Sequence, residues 1–319
     1  MKSFSLSLAN EAEVSGISSI SPQSSSPHYR PLVVALHGGT YSSSYFAAGG
    51  ASSALHIAEA LGVPFIAIDR PGYRDSTALP PITDTSTFLQ EEGIHLHRLI
   101  LPAIWSEYGS TSKATTIVVL THSLGSPGAI IAAALHAGES GPSYPYGGLI
   151  MSGWGIVQSR SNEAIRQQID TLTVNGRINW PLEHKDAPMF GATPEALALR
   201  VSPEILSLTA ELDNSMSRGE IEDGTFTWPG YWRGYAEEVK VPIMYSMAEH
   251  DGLWNTTAEH VEDFASAFTN SKRVERGIVA EAPHCMELSY WGPAWIARSL
   301  GFAMECAAAA DVQFANVKA

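Results

Sequence analysis

From Leu32 onward the chain alternates short apolar, β-branched runs with longer stretches whose apolar residues recur at helical spacing. Leu32–Leu36 and Pro64–Ile68 predict buried strands, and Tyr45–Ala60 predicts a helix between them. "TFLQEEGIHLHRLILPAIWSEYG" opens with a Thr87-x-x-Gln90 capping box and sets Leu89, Leu96, Leu99 and Ala103 on one helical face. A strand over Thr115–Thr121 leads into Pro127–Leu135, whose small apolar residues fit a buried helix, and Gly148–Ser152 predicts another short strand. Between Gly155 and Glu237 the rhythm breaks. Helical pieces such as Ser161–Leu172 and Pro194–Leu208 occur there, without a convincing strand. Alternation resumes with the strand in "VPIMYSMAEHDG", a helix over Thr256–Phe268, the strand-like "RVERGIVA" and a closing helix beyond His284.

Successive strand–helix units imply an α/β fold, a mostly parallel central sheet flanked by helices on both faces, with its site beyond the carboxyl ends of the strands. Residues 1–154 and 238–319 are read as the core, and 155–237 as a helical insertion expected to act as a cap or lid. No internal repeat is evident. "MKSFSLSLANEAEV" alternates apolar and polar residues and lacks a continuous apolar core, so it reads as a strand rather than a signal peptide. "SISPQSSSPHYRP" reads as a polar turn or loop, and the ending "FANVKA" matches no targeting or lipidation signal.

Charge narrows the partners. Lys and Arg number 19 against 33 Asp and Glu, a net charge of −14 that repels phosphate backbones and anionic bilayers, so neither nucleic acid nor membrane is an expected partner. The longest apolar run, Ala129–Ala137, is interrupted by His136 and is too short to span a bilayer. Two cysteines, Cys285 and Cys306, make neither a disulfide framework nor a zinc cluster, and a cytoplasmic, reducing location is the simplest expectation. The oligomeric state stays open between monomer and homodimer.

Four loops carry candidate chemistry. In "VVLTHSLGSPG", Ser123 falls at a sharp strand-to-helix turn, where a serine projects beside the unpaired first N–H groups of a helix. The nucleophile-elbow pattern G-x-S-x-G reads Thr121-His122-Ser123-Leu124-Gly125 here, with threonine at the first small position. A serine that merely caps a helix is the bland alternative. His37-Gly38-Gly39 ends a strand with backbone N–H groups exposed near the same sheet edge, suited to an oxyanion. Asp251 follows the strand "VPIMYSM", with Glu249 as rival acid, and His284 in "AEAPHCMEL" combines a late loop, a preceding strand and a place after the acid. A serine hydroxyl needs an imidazole to take its proton and a carboxylate to hold that imidazole's tautomer.

In five places, "LHGGT", "IAIDRPGY", "THSLG", "AEHDGLW" and "APHCMEL", the chain resembles the α/β-hydrolase family. The resemblance covers roughly residues 30–153 and 240–300, with the insertion where that family carries its cap. It implies Ser123 as nucleophile, Asp251 as acid and His284 as base. It also implies the backbone N–H groups of Gly39 and Leu124 as oxyanion hole, with Thr40 as a neighbouring possibility. Arg70, in the loop after the next strand, is read as making structural ion pairs. Serine at the nucleophile position limits the likeness to epoxide hydrolases and haloalkane dehalogenases, which use aspartate there, to the fold.

The implied activity is a serine hydrolase cleaving a carboxylic ester, thioester or lactone through an acyl-enzyme, with no metal and no cofactor. Carbon–carbon bond hydrolysis, acyl transfer and a non-catalytic ligand-binding role are the alternatives. Five of eight tryptophans, Trp154, Trp180, Trp228, Trp232 and Trp254, fall in the insertion or at its borders. Packing is the default account of such residues, but the local excess favours an apolar pocket for a hydrophobic small molecule. Thr40, Tyr41, Trp154, Trp228, Trp232 and Trp254 are its candidate walls.

Overall fold

Strand-forming runs become strands where they can be buried on both faces. A computed structural model describes residues 1–20 and 30–318, so most of the predicted polar turn, residues 21–29, lies outside the described residues. The chain opens with β1 (Lys2–Ser7), β2 (Glu13–Ser19) and β3 (Pro31–Leu36). Next come α1 (Ala54–Ala60), β4 (Phe65–Ile68), α2 (Phe88–His95), α3 (Leu101–Ile104), β5 (Thr116–His122), α4 (Gly125–Gly138) and β6 (Tyr146–Ser152). The Tyr45–Ala60 helix is realised only in its second half: Gly49 and Gly50 take left-handed conformations and leave two short 3-10 turns before α1. The Thr87–Gln90 capping box forms at the start of α2 as expected.

The insertion carries α5 (Asn162–Leu172), β7 (Thr173–Val174), β8 (Arg177–Ile178), α6 (Leu182–Phe190), α7 (Pro194–Arg200), α8 (Pro203–Leu212), β9 (Met216–Ser217), α9 (Arg218–Glu222) and α10 (Trp232–Glu238). Its three two-residue strands form a small antiparallel sheet that the sequence reading did not anticipate. The helix expected over Pro194–Leu208 is two helices. Ser202 precedes Pro203, is extended, and caps α8 with its side chain, because proline disfavours helical geometry in the residue before it. The core resumes with β10 (Ile243–His250), α11 (Ala258–Ser266), β11 (Val274–Pro283) and α12 (Gly292–Lys318).

Eight strands make one sheet in the order β1-β2-β4-β3-β5-β6-β10-β11. From β4 to β11 every pairing is parallel, while β2 joins β4, and β1 joins β2, antiparallel. All residues of β3, β4, β5 and β6 are buried, and alternate side chains feed two cores. Leu32, Val34, Leu36, Ile117 and Val119 pack with Leu96, Ile130 and Phe264 on one face. Val33, Ala35, Val118 and Leu120 pack with Leu55, Trp295 and Ile296 on the other. The polar loops at the carboxyl ends of β3, β5, β10 and β11 therefore converge under the insertion. Among the described residues no helix is long and apolar enough to cross a membrane.

Candidate active site

Ser123 is the first residue after β5 and has φ 51°, a left-handed conformation that non-glycine residues hold at a cost of roughly 1–3 kcal/mol. Two features keep it there. A β-carbon on Gly125 would stand 2.8 and 2.9 Å from the carbonyl oxygens of Leu36 and His37, so only glycine lets α4 start this close to β3. Thr121, the departure from the elbow pattern, fits because its buried hydroxyl pairs with Ser126 Oγ at 2.8 Å and lies 3.2 Å from the Ile150 carbonyl. No side chain caps the N-terminus of α4, so its free N–H groups remain available beside Ser123.

His284 and Asp251 come to the same point from the ends of β11 and β10. His284 Nε2 lies 3.2 Å from Ser123 Oγ, and its Nδ1 lies 2.7 Å from Asp251 Oδ2. The remaining carboxylate oxygen, Oδ1, accepts the N–H groups of Leu253 and Trp254 at 2.9 and 3.0 Å. Both side chains of the His–Asp pair are completely buried. The rival acid, Glu249, is exposed and accepts the Glu281 N–H instead, so it takes no part in this row.

The loop after β3 faces the serine elbow. A β-carbon on Gly38 would come within 3.0 Å of Ser123 Cβ, and one on Gly39 within 2.7 Å of Leu124 Cδ1. These glycines thus let backbone N–H groups approach where an oxyanion would form. His37 anchors the loop: its Nε2 accepts the Arg70 N–H at 3.1 Å, which leaves the proton on Nδ1, 2.7 Å from the Gly38 carbonyl. Burial, and then the Arg70 charge, depress the His37 pKa well below its usual value, so the ring stays neutral.

Around this row lies a buried polar shell that sequence reasoning missed. Glu287, three residues past His284, accepts from Ser152 Oγ at 2.6 Å, Tyr45 OH at 2.7 Å and Trp295 Nε1 at 2.9 Å. These bonds tie the loop that carries His284 to β6, to Tyr45 and to α12. His122 stacks on Tyr45, with centroids 4.9 Å apart, and burial drives its pKa well down, so it stays uncharged beside His284. Arg70 makes the expected ion pairs, to Glu92 at 2.7 Å and to Glu220 of α9 at 2.5 Å, all three groups being buried. Nothing local in the sequence marks Glu92, Glu220 or Glu287 as buried, since a carboxylate on a helix or loop is ordinarily solvated.

A cavity open to solvent at its mouth lies between Ser123 and the insertion. Thr40, Trp154 and Trp254 line it as the sequence suggested, joined by Trp180, Ile165, Leu253 and Met216. Tyr41, Trp228 and Trp232 do not. Tyr41 is buried with its ring under Lys185, Trp232 stacks on Phe264 at 4.9 Å, and Trp228 packs between Trp154 and Trp232. These rings serve the default purpose of aromatic residues, core packing.

The sequence model of the alpha/beta hydrolase family matches residues 33–300, most of the chain. The chain belongs to the alpha/beta hydrolase family. No curated protein matches it. Among solved structures, this alpha/beta hydrolase is similar to a thermophilic esterase from Thermogutta terrifontis, with 14% identity, TM-score 0.62, and 96% of this chain and 99% of that one covered. It is also similar to a monoacylglycerol lipase from Paleococcus ferrophilus, with 16% identity, TM-score 0.59, and 88% and 96% covered. An enol-lactonase from Burkholderia xenovorans gives 14% identity, TM-score 0.61, and 94% and 99% covered. At such identities these likenesses establish the shared fold alone.

Proposed function

We propose that this alpha/beta hydrolase is a serine hydrolase that cleaves a carboxylic ester, thioester or lactone of a hydrophobic small molecule through an acyl-enzyme. The observation that carries the reading is the hydrogen-bonded row Ser123–His284–Asp251, with spacings of 3.2 and 2.7 Å, at the floor of a largely apolar cavity. In this mechanism His284 Nε2 takes the Ser123 proton as Oγ attacks the substrate carbonyl carbon. Asp251, held by two backbone N–H groups, keeps the other ring nitrogen protonated and offsets the imidazolium charge. The backbone N–H groups of Leu124 and Gly39 receive the oxyanion, helped by the uncapped end of α4.

The tetrahedral intermediate collapses as His284 returns the proton to the leaving oxygen or sulfur, leaving Ser123 acylated. Water, deprotonated by the same ring, then releases the acid and restores the hydroxyl. Trp154, Trp180, Trp254, Ile165 and Leu253 supply the apolar surface that suits a hydrophobic substrate. A panel of p-nitrophenyl esters of increasing acyl length tests the reading. Turnover should rise from acetate to medium chains and fall at least 10³-fold in Ser123→Ala, on the order expected for losing a nucleophile. Unchanged ester cleavage by that variant would refute the reading.

A further inference from the structure

Helix α6 touches three of the four loops that carry the candidate catalytic groups, those after β3, β10 and β11. The Pro188 carbonyl accepts the N–H of Gly252, next to Asp251, at 3.2 Å. The Met189 carbonyl accepts the N–H of Cys285, next to His284, at 3.0 Å. Both acceptors belong to the last turn of α6, whose carbonyls have no partner within the helix. One turn earlier, Lys185 Nζ reaches the Thr40 carbonyl at 3.1 Å, immediately after Gly39.

Thr40 is the place where this contact has an effect. It is a β-branched residue at φ 63°, a conformation that persists only where its surroundings over-determine it. Its carbonyl is held by two donors, both from the insertion: Lys185 Nζ and the Asn214 N–H at 2.9 Å. The Lys185 side chain is 1% exposed, an uncommon place for an ammonium. It is paired with Asp213 Oδ1 at 2.6 Å and lies 4.1 Å from the centre of the Tyr41 ring. Burying this Lys185–Asp213 pair contributes little to stability on balance, because desolvation offsets the attraction.

Building on the serine-hydrolase reading, we propose that Lys185 is a positioning residue: by holding the Thr40 carbonyl it sets the Gly39 N–H for the oxyanion, so that turnover depends on the insertion being docked. Lys185 lies at the edge of the cavity, but its ammonium is engaged by the Thr40 carbonyl and Asp213, not by Ser123, His284 or Asp251. It acts through the loop after β3, and its loss shifts a donor instead of deleting one. Displacements of that kind cost up to about a hundredfold in rate.

The test compares Lys185→Met and the double variant K185M/D213N, which leaves no orphan carboxylate, with the parent protein on p-nitrophenyl butyrate. Thermal unfolding and the affinity for an alkyl trifluoromethyl ketone, whose hemiketal oxygen occupies the oxyanion position, are measured alongside. The expected result is a kcat about 10- to 100-fold lower in both variants with KM within about threefold. Ketone affinity should weaken by the same factor as kcat/KM. A kcat within threefold of the parent in either variant overturns the proposal, as does a change confined to KM, or ketone affinity that stays constant while kcat falls. Failure of both variants to fold also overturns it, by giving Lys185 a purely structural role. Full activity in Ser123→Ala would instead remove the serine-hydrolase reading itself, so the two failures are distinct.

Discussion

Gly252 and Pro188 meet backbone to backbone: besides the hydrogen bond between them, a β-carbon on Gly252 would stand 2.5 Å from both the Pro188 Cα and its carbonyl oxygen. A methyl group there has no flexible neighbour to displace. Gly252→Ala should push α6 off the Asp251 loop and, on the serine-hydrolase reading, lower kcat/KM by about tenfold or more, since Asp251 is the adjacent residue. Steady-state kinetics with a thermal melt checks this. Activity lost out of proportion to the melting shift is the expected pattern.

Gly125→Ala is expected to act on folding first. Its new carbon would meet two carbonyl oxygens of the β3 end at under 3 Å, so α4 must retreat from the sheet. Overpacking against backbone costs about 1–3 kcal/mol, and the retreat also shifts Ser123. A lower urea midpoint with an unchanged denaturant slope would report it.

Arg70 neutralises two buried carboxylates and joins core to insertion. Arg70→Met leaves Glu92 and Glu220 facing each other without a counter-charge, and breaking such a buried pair on one side costs about 3–5 kcal/mol. Chemical denaturation of the variant measures the loss.

Glu92 also gives stability a pH dependence. Burial raises its carboxyl from 4.5 to about 7 despite the opposing pull of Arg70. The folded state thus holds a proton that the unfolded chain releases near pH 4.5. The proton-linked stabilisation is complete below pH 4.5 and is lost as pH rises to about 7. Glu92→Gln should flatten this part of the profile, as read from melting temperatures between pH 4.5 and 8.

Much of the site was legible because its residues sit at ends of strongly patterned strands. Runs such as Leu32–Leu36 and Thr115–Thr121 mark buried strands, and the turns after them locate Gly39 and Ser123; Asp251 and His284 follow two more strands in the same way. The buried polar shell was not legible. Lys185, Glu92, Glu220 and Glu287 are hidden by partners on other elements, such as Arg70, 150 residues from Glu220, and Tyr45, 242 residues from Glu287, and local pattern carries no trace of such pairings. Aromatic excess likewise does not distinguish a cavity wall from packing, which is why Trp154 and Trp254 line the pocket while Trp228 and Trp232 fill the core. The break before α8, by contrast, was present in Ser202-Pro203 and was overridden by the apolar spacing around it.

The claim on which the mechanism turns is that Ser123 is an activated nucleophile, and covalent labelling with a fluorophosphonate followed by peptide mass spectrometry tests it most directly. The account predicts one adduct per chain, on the peptide containing Ser123, with labelling abolished in Ser123→Ala and strongly slowed in His284→Ala. Absence of an adduct on the folded parent protein, or labelling that persists in Ser123→Ala, would contradict it.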